Sequence, residues 1–497
     1  MGFIDSIVAR FSPKAAYERE AYRRAYDWLR NYDAGNYDRP NQNWRVSNQS
    51  AELTDRYSRM DVLARARDLE RNSDIMNSVI GAFERNIIGG GYNLQAQTGE
   101  PELNEKIEKA WKKWCKKRNC DVTGTQSFSQ ILRMAVHRKK VDGGILFIKR
   151  YTADGYVPFK LQMMEVDELD SDVFTPKNEG NKVVGGIEYN SWNKPVGYFF
   201  RQYSLDGMTI NEPIWVKADE VIFYYSKKRP SQIREMSDMA PTITRVRDVN
   251  EFMMAISVKQ RIEACLSVFI KKSIPTTAIG RSGTAAGGAE KTSYDGKMLS
   301  PGMIKELNAG DEVQVVNPSG QGADATSFTK LQQRLIGAGQ GMSYESTSRD
   351  MSQSTYSSAR QGIIEDNLAC SPERELLMEV MDEIYETFII SAVICGKLDI
   401  PKFWNEGEKE RYLSHEWIKE PKPWIDPVKE SSANRTALET GQKTFKQIAA
   451  ENGRDWRTQL NDIAEANAYA AGLGIDLNTI LFGTPATEIN PDLLKDE

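Results

Sequence analysis

The chain has 497 residues, 40% of them hydrophobic and 27% charged, a size and balance that suit roughly two to four folded domains and exclude a single compact core. No apolar stretch reaches the roughly 18 residues a membrane-spanning helix needs, so none is expected. The 65 basic and 70 acidic residues leave a net charge of −5, which argues against a broad basic surface that grips nucleic acid statically.

The opening Met1-Gly2-Phe3-Ile4-Asp5-Ser6 lacks a basic region followed by an apolar one, so no secretory leader is expected, and Gly2 with Ser6 reads as a chance match to a lipidation pattern. Tyr17, Tyr22, Tyr26 and Leu29 repeat at helical spacing. Asn31 to Gln49 is rich in Asn, Asp and Gly and reads as a linker or extended arm. Helical periodicity resumes with Met60, Leu63, Ala64 and Leu69, and again with Ile75, Val79, Ile80, Phe83 and Ile87, which Gly89-Gly90-Gly91 ends. Tyr92 to Ala96 alternates like a strand. A third helix, about Pro101 to Lys117, carries Leu103, Ile107, Ala110, Trp111 and Trp114 on one face and five lysines opposite. Glu102, Glu105 and Glu108 balance those lysines, so a solvated face is expected, with DNA or an acidic partner as the alternative.

From Gly143 to Tyr225 the pattern becomes antiparallel strands: 145–148, 159–163, 183–189, 197–200 and 221–225, with Asp154-Gly155 as a hairpin turn. Helices followed by such strands make an α+β class. A helix of roughly 25 residues is expected after Pro241, with Ile243, Val246, Val249, Phe252, Met253, Ile256, Val258 and Ile262 on its stripe. The Gly/Ala-rich 281–288 stretch has no Gly-Lys-Ser/Thr after it and reads as a loop, not a phosphate cradle. Glu312 to Val316 reads as a short strand. A helix over about 327–337 leads into a polar loop, and a single long helix is expected from about Ser358 to Ile394. Two more amphipathic helices are expected near 427–440 and 455–472.

Reactive constellations are missing. Cys115, Cys120, Cys265, Cys370 and Cys395 are irregularly spaced and read as reduced thiols. His137 and His415 are the only histidines, and Ser343 and Ser358 have no histidine near them in sequence. The acidic pairs Asp311-Glu312 and Glu365-Asp366 are adjacent residues that point apart. No catalytic residue, metal site or cofactor is therefore expected, and the chain does not read as an enzyme.

The loop before the long helix contains Ser343-Tyr344-Glu345, Ser348-Arg349-Asp350 and Tyr356-Ser357-Ser358-Ala359-Arg360. It resembles the signature of the lambda-type portal proteins of tailed double-stranded-DNA bacteriophages. Ala64 to Asn72 with Asn86 to Gly91 resembles the N-terminal region of that family. Trp424 to Pro427, Glu439-Thr440-Gly441 and Gly453 to Trp456 resemble its C-terminal region. The likeness covers about residues 60–475 in order. Many relatives have an aliphatic residue where Ser346 or Thr347 stands.

The resemblance implies a portal fold with an α/β wing, helical stem, small α/β clip and mainly helical crown, assembled as a dodecameric ring. Its parts would be an N-terminal arm and helix (1–50), wing (51–236), first stem helix (237–266), clip (267–324), second stem helix (325–342), tunnel loop (343–357), long tunnel helix (358–396) and crown (397–497). The ring would sit at one capsid vertex of the virion, be assembled in the bacterial cytoplasm, and pass double-stranded DNA without sequence specificity. Its other partners would be the terminase large subunit, the major capsid and scaffolding proteins, and head-completion adaptors, with no membrane.

Duplex DNA carries one charge per roughly 1.7 Å of axis, so a strongly basic wall would stall it. Hydroxyls and amides make weak, exchangeable phosphate contacts. The expected DNA-facing residues are Tyr344, Ser346, Thr347, Ser348, Arg349, Asp350, Ser352, Gln353, Ser354 and Tyr356, with Arg349 and Asp350 either cancelling each other or forming a salt bridge. Arg360 and Glu365 are candidates for a subunit interface. Phe388, Ile389, Ile390, Val393 and Ile394 are either interface or ordinary core. A head–tail adaptor or minor capsid protein is the other structural reading.

Overall fold

A computed structural model describes residues 12–15, 17–18, 48–204, 210–265, 269–270, 305–306, 322–352, 354–419 and 427–473. The expected N-terminal helix and arm, the 281–288 loop and the Glu312–Val316 strand lie outside the described residues in whole or large part.

The helices that open the main body are α1 (Arg59–Asn72) and α2 (Asp74–Ile87). The Ser73 hydroxyl caps α2 by accepting from the Met76 N–H at 3.3 Å. Val79, Ile80, Phe83 and Ile87 are buried as their spacing required. On α1 the inward stripe is Leu63, Ala66 and Leu69, while Met60 and Ala64 face outward, a shift of the expected stripe. Strand β1 (Tyr92–Ala96) follows, then α3 (Pro101–Trp114), whose apolar stripe is buried and whose lysines 106, 109, 112 and 113 are exposed. Proline at its start is compatible with a helix, because the first turn has no use for that N–H.

Helix α4 (Phe128–Asp142) ends at Gly143, which has φ +90° and lets the chain turn directly into β2 (Gly144–Tyr151). A methyl at Gly143 would lie 2.4 Å from the Met236 carbonyl. We expect Gly143→Ala to lower stability by about 2 kcal/mol, from the left-handed backbone and the clash together. Chemical denaturation checks it, and an unchanged midpoint would show that the 236 segment can move aside.

Strand β2 is the centre of a three-stranded antiparallel sheet between β3 (Phe159–Met164) and, across the other edge, a later strand, Val221–Tyr225. The expected strand over 183–189 is two strands, β4 (Lys182–Val184) and β5 (Ile187–Tyr189), folded on each other. Gly185 and Gly186, at φ +60° and +80°, form the turn that divides them. They belong to a second antiparallel sheet, in the order β4, β5, β6 (Pro195–Tyr203), β7 (Ile210–Lys217). Strand β7 had no counterpart among the expected elements. Val221–Tyr225 is β8.

Helix α5 (Ile243–Cys265) is buried at Ile243, Val246 and Val249 and then leaves the core, with Met253 and Val258 exposed. It lies along α6 (Gly322–Gly339), with Phe252 edge-on to Phe328 at 4.7 Å. The short helix α7 (Tyr344–Ser348) precedes α8 (Tyr356–Ala369) and α9 (Ser371–Ile394). The expectation of one continuous helix is thus corrected. The helix breaks at Cys370 because Pro372 has no N–H and its ring collides with the carbonyl four residues back. Phe388 and Ile389 are fully buried in the chain's own core, so burial rather than an interface accounts for them, whereas Ile394 is 71% exposed. Strand β9 (His415–Lys419) pairs antiparallel with β1, and α10 (Pro427–Glu439), α11 (Phe445–Glu451) and α12 (Trp456–Gly472) complete the described chain. In the expected clip a two-residue parallel pairing joins Phe269–Ile270 to Lys305–Glu306.

The main core sits where α3, α4 and α9 meet β3 and β9. Trp111 and Trp114 stack at 4.9 Å, Trp114 stacks on Phe159 at 5.4 Å, and Phe128, Tyr385 and Phe388 pack edge-on or tilted around them. A second core under the sheets gathers Leu146, Ile148, Ile187, Phe200 and Val216.

His137 is a structural residue of α4, held by two carboxylates. Its ring nitrogens meet Glu84 at 2.5 Å and Glu70 at 2.7 Å, and Arg138 also pairs with Glu70. The Glu84 bond, aided by Glu70 against partial desolvation and the Arg138 charge, raises its pKa above the ordinary 6.5. Protonation of His137 therefore stabilises the fold. The gain is complete below the ordinary value and is lost as pH rises through the raised one. We expect the melting temperature of the wild type to fall across that window and His137→Gln to flatten the dependence, as thermal melts against pH will show.

Candidate functional site

The segment that carries the sequence signature is held from three sides. Ser343 caps α7 by accepting from the Ser346 N–H at 3.2 Å. Asp366, buried on α8, accepts from the Ser343 N–H at 2.7 Å and from its hydroxyl at 2.9 Å. The second member of the Glu365-Asp366 pair is thus an anchor for the loop. Its neighbour Glu365 is exposed and, among the described residues, accepts only from the Gln361 amide at 2.8 Å.

From α2, the Ser78 hydroxyl donates to the Thr347 carbonyl, and Arg85 donates to the Ser346 carbonyl at 3.2 Å. Helix α6 approaches through Gly337, where a Cβ would come within 2.9 Å of the Met342 carbonyl oxygen. Lys330 of the same helix pairs with Asp350 at 3.3 Å, and the Arg334 guanidinium lies 5.3 Å from the centre of the Tyr344 ring.

These anchors sort the expected DNA-facing residues. Thr347 is buried, and its hydroxyl donates to the Ser343 and Tyr344 carbonyls at 3.1 Å each. The expectation that it faces outward is corrected: hydrogen bonding inside α7 and packing against α2 turn it in. Tyr344, Ser346 and Ser348 are half-buried. The Tyr344 hydroxyl donates to Asp350 at 3.3 Å, and the Ser354 hydroxyl to Glu345 at 3.3 Å. Met351 and Ser352 form the exposed crest. Gln353 and the side chain of Tyr356 lie outside the described residues.

Arg349 and Asp350 do not pair. Arg349 ends α7 in the left-handed region at φ +59°. Asp350 instead accepts from the Ser352 hydroxyl at 2.5 Å and from its N–H at 3.1 Å. With Lys330, these bonds hold its carboxyl well below the usual carboxylate range. Asp350 therefore stays an anion at any ordinary pH, compensated by Lys330.

Between this loop, α8, the end of α2 and the end of β9 lies an open cavity of about 640 Å³. Arg85 and Arg349 both line it. Partial burial, then the nearby Arg349 charge, lowers the Arg85 pKa. Lys419 also lines it, with its ammonium directed at the Asn86 carbonyl. The cavity's carboxylates are engaged, Asp366 with Ser343 and Glu345 with Ser354.

Arg360 is exposed and forms no ion pair among the described residues. No group of histidine, cysteine and carboxylate side chains able to hold a metal occurs among the described residues. The arrangement offers hydroxyls, a carboxylate paired with Lys330 and two exposed arginines beside the cavity, chemistry for weak polar contact and for charge pairing. Arg85 and Lys330 carried no signal in the sequence, because their partners lie 261 and 20 residues away on other elements. Asp366 carried a partial one, as an acidic residue just past the signature.

A family model described as phage portal protein, lambda family, matches residues 37–374. The chain is 25% identical over 450 residues to a probable portal protein of Halomonas phage phiHAP-1, covering 87% of this chain and 85% of the relative. It is 20% identical over 432 residues to portal protein B of Escherichia phage lambda, covering 79% and 81%. Against the portal protein of Escherichia phage N15 it is 22% identical over 459 residues, covering 83% and 85%. Among solved structures, a chain from the neck of an empty gene transfer agent particle computed with C6 symmetry aligns with a TM-score of 0.40 at 14% identity, covering 79% of this chain and 93% of that one.

Proposed function

Because this chain belongs to the lambda family of phage portal proteins, whose model spans more than half of it, we propose that its copies close into a dodecameric ring around a channel for double-stranded DNA. The family match over 37–374, which contains the whole signature loop, carries this reading. Portal proteins of this family are structural, and the reading assigns no catalytic step. The ring occupies one capsid vertex and is assembled in the host cytoplasm. Terminase docks on it for packaging, capsid and scaffolding proteins surround it, and head-completion adaptors follow.

In this reading α5 and α6 are the stem and the segment between them the clip. The crest at Met351 and Ser352, with Ser354, faces the DNA. Its chemistry suits sliding: each copy adds five net negative charges, Asp350 is paired with Lys330, and Arg349 is a lone exposed cation of the loop beside the cavity. Phosphate meets hydroxyls and few cations, contacts weak enough that no copy holds the duplex for long.

Negative-stain microscopy of the purified chain tests the ring: twelve-fold particles with a central hole are expected, and lone subunits or six-fold particles overturn it. Replacing Met351, Ser352 and Ser354 by glycine is expected to leave rings intact and to impair DNA packaging or retention in a complementation assay. Normal packaging would remove the crest from the DNA path.

A further inference from the structure

The two faces of α8 differ in a complementary way. Ala359, Ile363 and Asp366 line the Arg85–Arg349 cavity and fall within about 60° of the helix circumference. On the opposite side, centred about 180° away, lie Gln361, Ile364, Glu365 and Leu368. All four are exposed, with Ile364 44% and Leu368 64% accessible. The cavity side thus presents two guanidiniums beside the exposed apolar side chains of Ile363 and Met351, and the far side presents a carboxylate between two apolar side chains.

Neither Arg85 nor Arg349 takes part in an ion pair among the described residues, and Arg349 makes Arg85 harder to keep charged. Two arginines lining one cavity favour an anion there. Glu365, whose partner is a neutral amide on its own helix, has a carboxylate to offer. The two faces cannot meet within one chain, because they lie on opposite sides of one helix. They can meet between copies. In a closed ring each subunit shows one face to the subunit on its left and a different face to the one on its right, so every interface joins unlike surfaces.

We propose that Glu365 of one copy enters the cavity of the next and pairs with its Arg85 and Arg349, with Ile364 and Leu368 packed against the neighbour's Ile363 and Met351. This inference rests on the ring reading above. It makes α8 the element that closes the ring beneath the loop, and it directs Arg349 to a neighbouring subunit and not to DNA. Arg360, about 100° from the cavity face, lies to the side of the contact.

The test is a charge exchange read by native mass spectrometry, as the fraction of rings at fixed subunit concentration. Glu365→Lys and Arg349→Glu are each expected to lower that fraction about tenfold, and the doubly exchanged protein to recover most of it. Glu365→Gln, a neutral isostere at an exposed position, is expected to weaken assembly less than Glu365→Lys with an unchanged melting temperature. Wild-type assembly in Glu365→Lys, or a double exchange no better than its parents, overturns the pairing. So does an Arg349→Glu protein that forms rings normally but loses retained DNA, an outcome that would give the cavity to phosphate. If the unaltered chain forms no rings, the ring reading fails first and the pairing with it.

Discussion

Trp114→Ala is expected to destabilise the folded body by about 3–5 kcal/mol, measured as the shift of the denaturant midpoint at constant slope. The side chain is fully buried, stacked on Phe159 with the rings 5° from parallel, and in contact with Trp111 and Phe388. Removing it opens a cavity in a rigid aromatic cluster that cannot collapse, because its neighbours belong to different elements. The Trp114 Nε1–H also donates to the Phe159 carbonyl at 2.9 Å, so truncation leaves a buried acceptor unpaired. Trp114→Phe separates the two effects. It keeps an aromatic ring and loses the donor, and is expected to lose about 1–3 kcal/mol, the penalty for the unpaired carbonyl. A Trp114→Ala loss no larger than that of Trp114→Phe would mean that the cluster repacks.

Lys139→Met is expected to lower stability by a similar amount, about 3–5 kcal/mol. Lys139 is 1% exposed and bridges Asp238 at 2.9 Å and Glu373 of α9, tying α4 to the segment before α5 and to α9. Burial by itself would raise the Asp238 carboxyl, but Lys139, Lys140 and Lys228 together hold it below the usual range. Asp238 therefore contributes stability at neutral pH that is lost only as pH falls below its ordinary value of 3.8 towards the depressed one. Methionine matches the length of the lysine stem, so the loss comes from stranding two carboxylates and not from a void. Adding Glu373→Gln to Lys139→Met is expected to return part of the stability, since one of the stranded charges is then gone. A double variant weaker than the single one would refute that account.

The lysine at position 139 also marks how far the sequence could be read. Arg138-Lys139-Lys140 has the look of a solvated basic face, yet Lys139 and Lys140 are buried and Arg138 is half-buried against Glu70. Whether a charge is solvated or paired depends on partners about 100 and 234 residues away, which no local pattern encodes. The same holds for Arg85 beside the signature loop. By contrast Trp111 and Trp114 were legible as core, because helical spacing puts them on one stripe with Leu103 and Ile107.

What the residues determined alone is whatever local physics decides: the helices 74–87 and 101–114 from period and caps, the hairpin at Asp154-Gly155, the α+β class, and the family through a contiguous signature. The turn at Gly185-Gly186 and the break at Pro372 were written there too, the first in residues free to take positive φ and the second in one whose ring forbids a continuing helix. Tertiary structure decided which strands pair, β1 with β9 across more than 300 residues, and which way Thr347 and Arg349 face. It also decided that the acidic residue after the signature is an anchor while its neighbour stands exposed. Those outcomes depend on contacts between elements distant in sequence, and packing and electrostatics act through space, not along the chain.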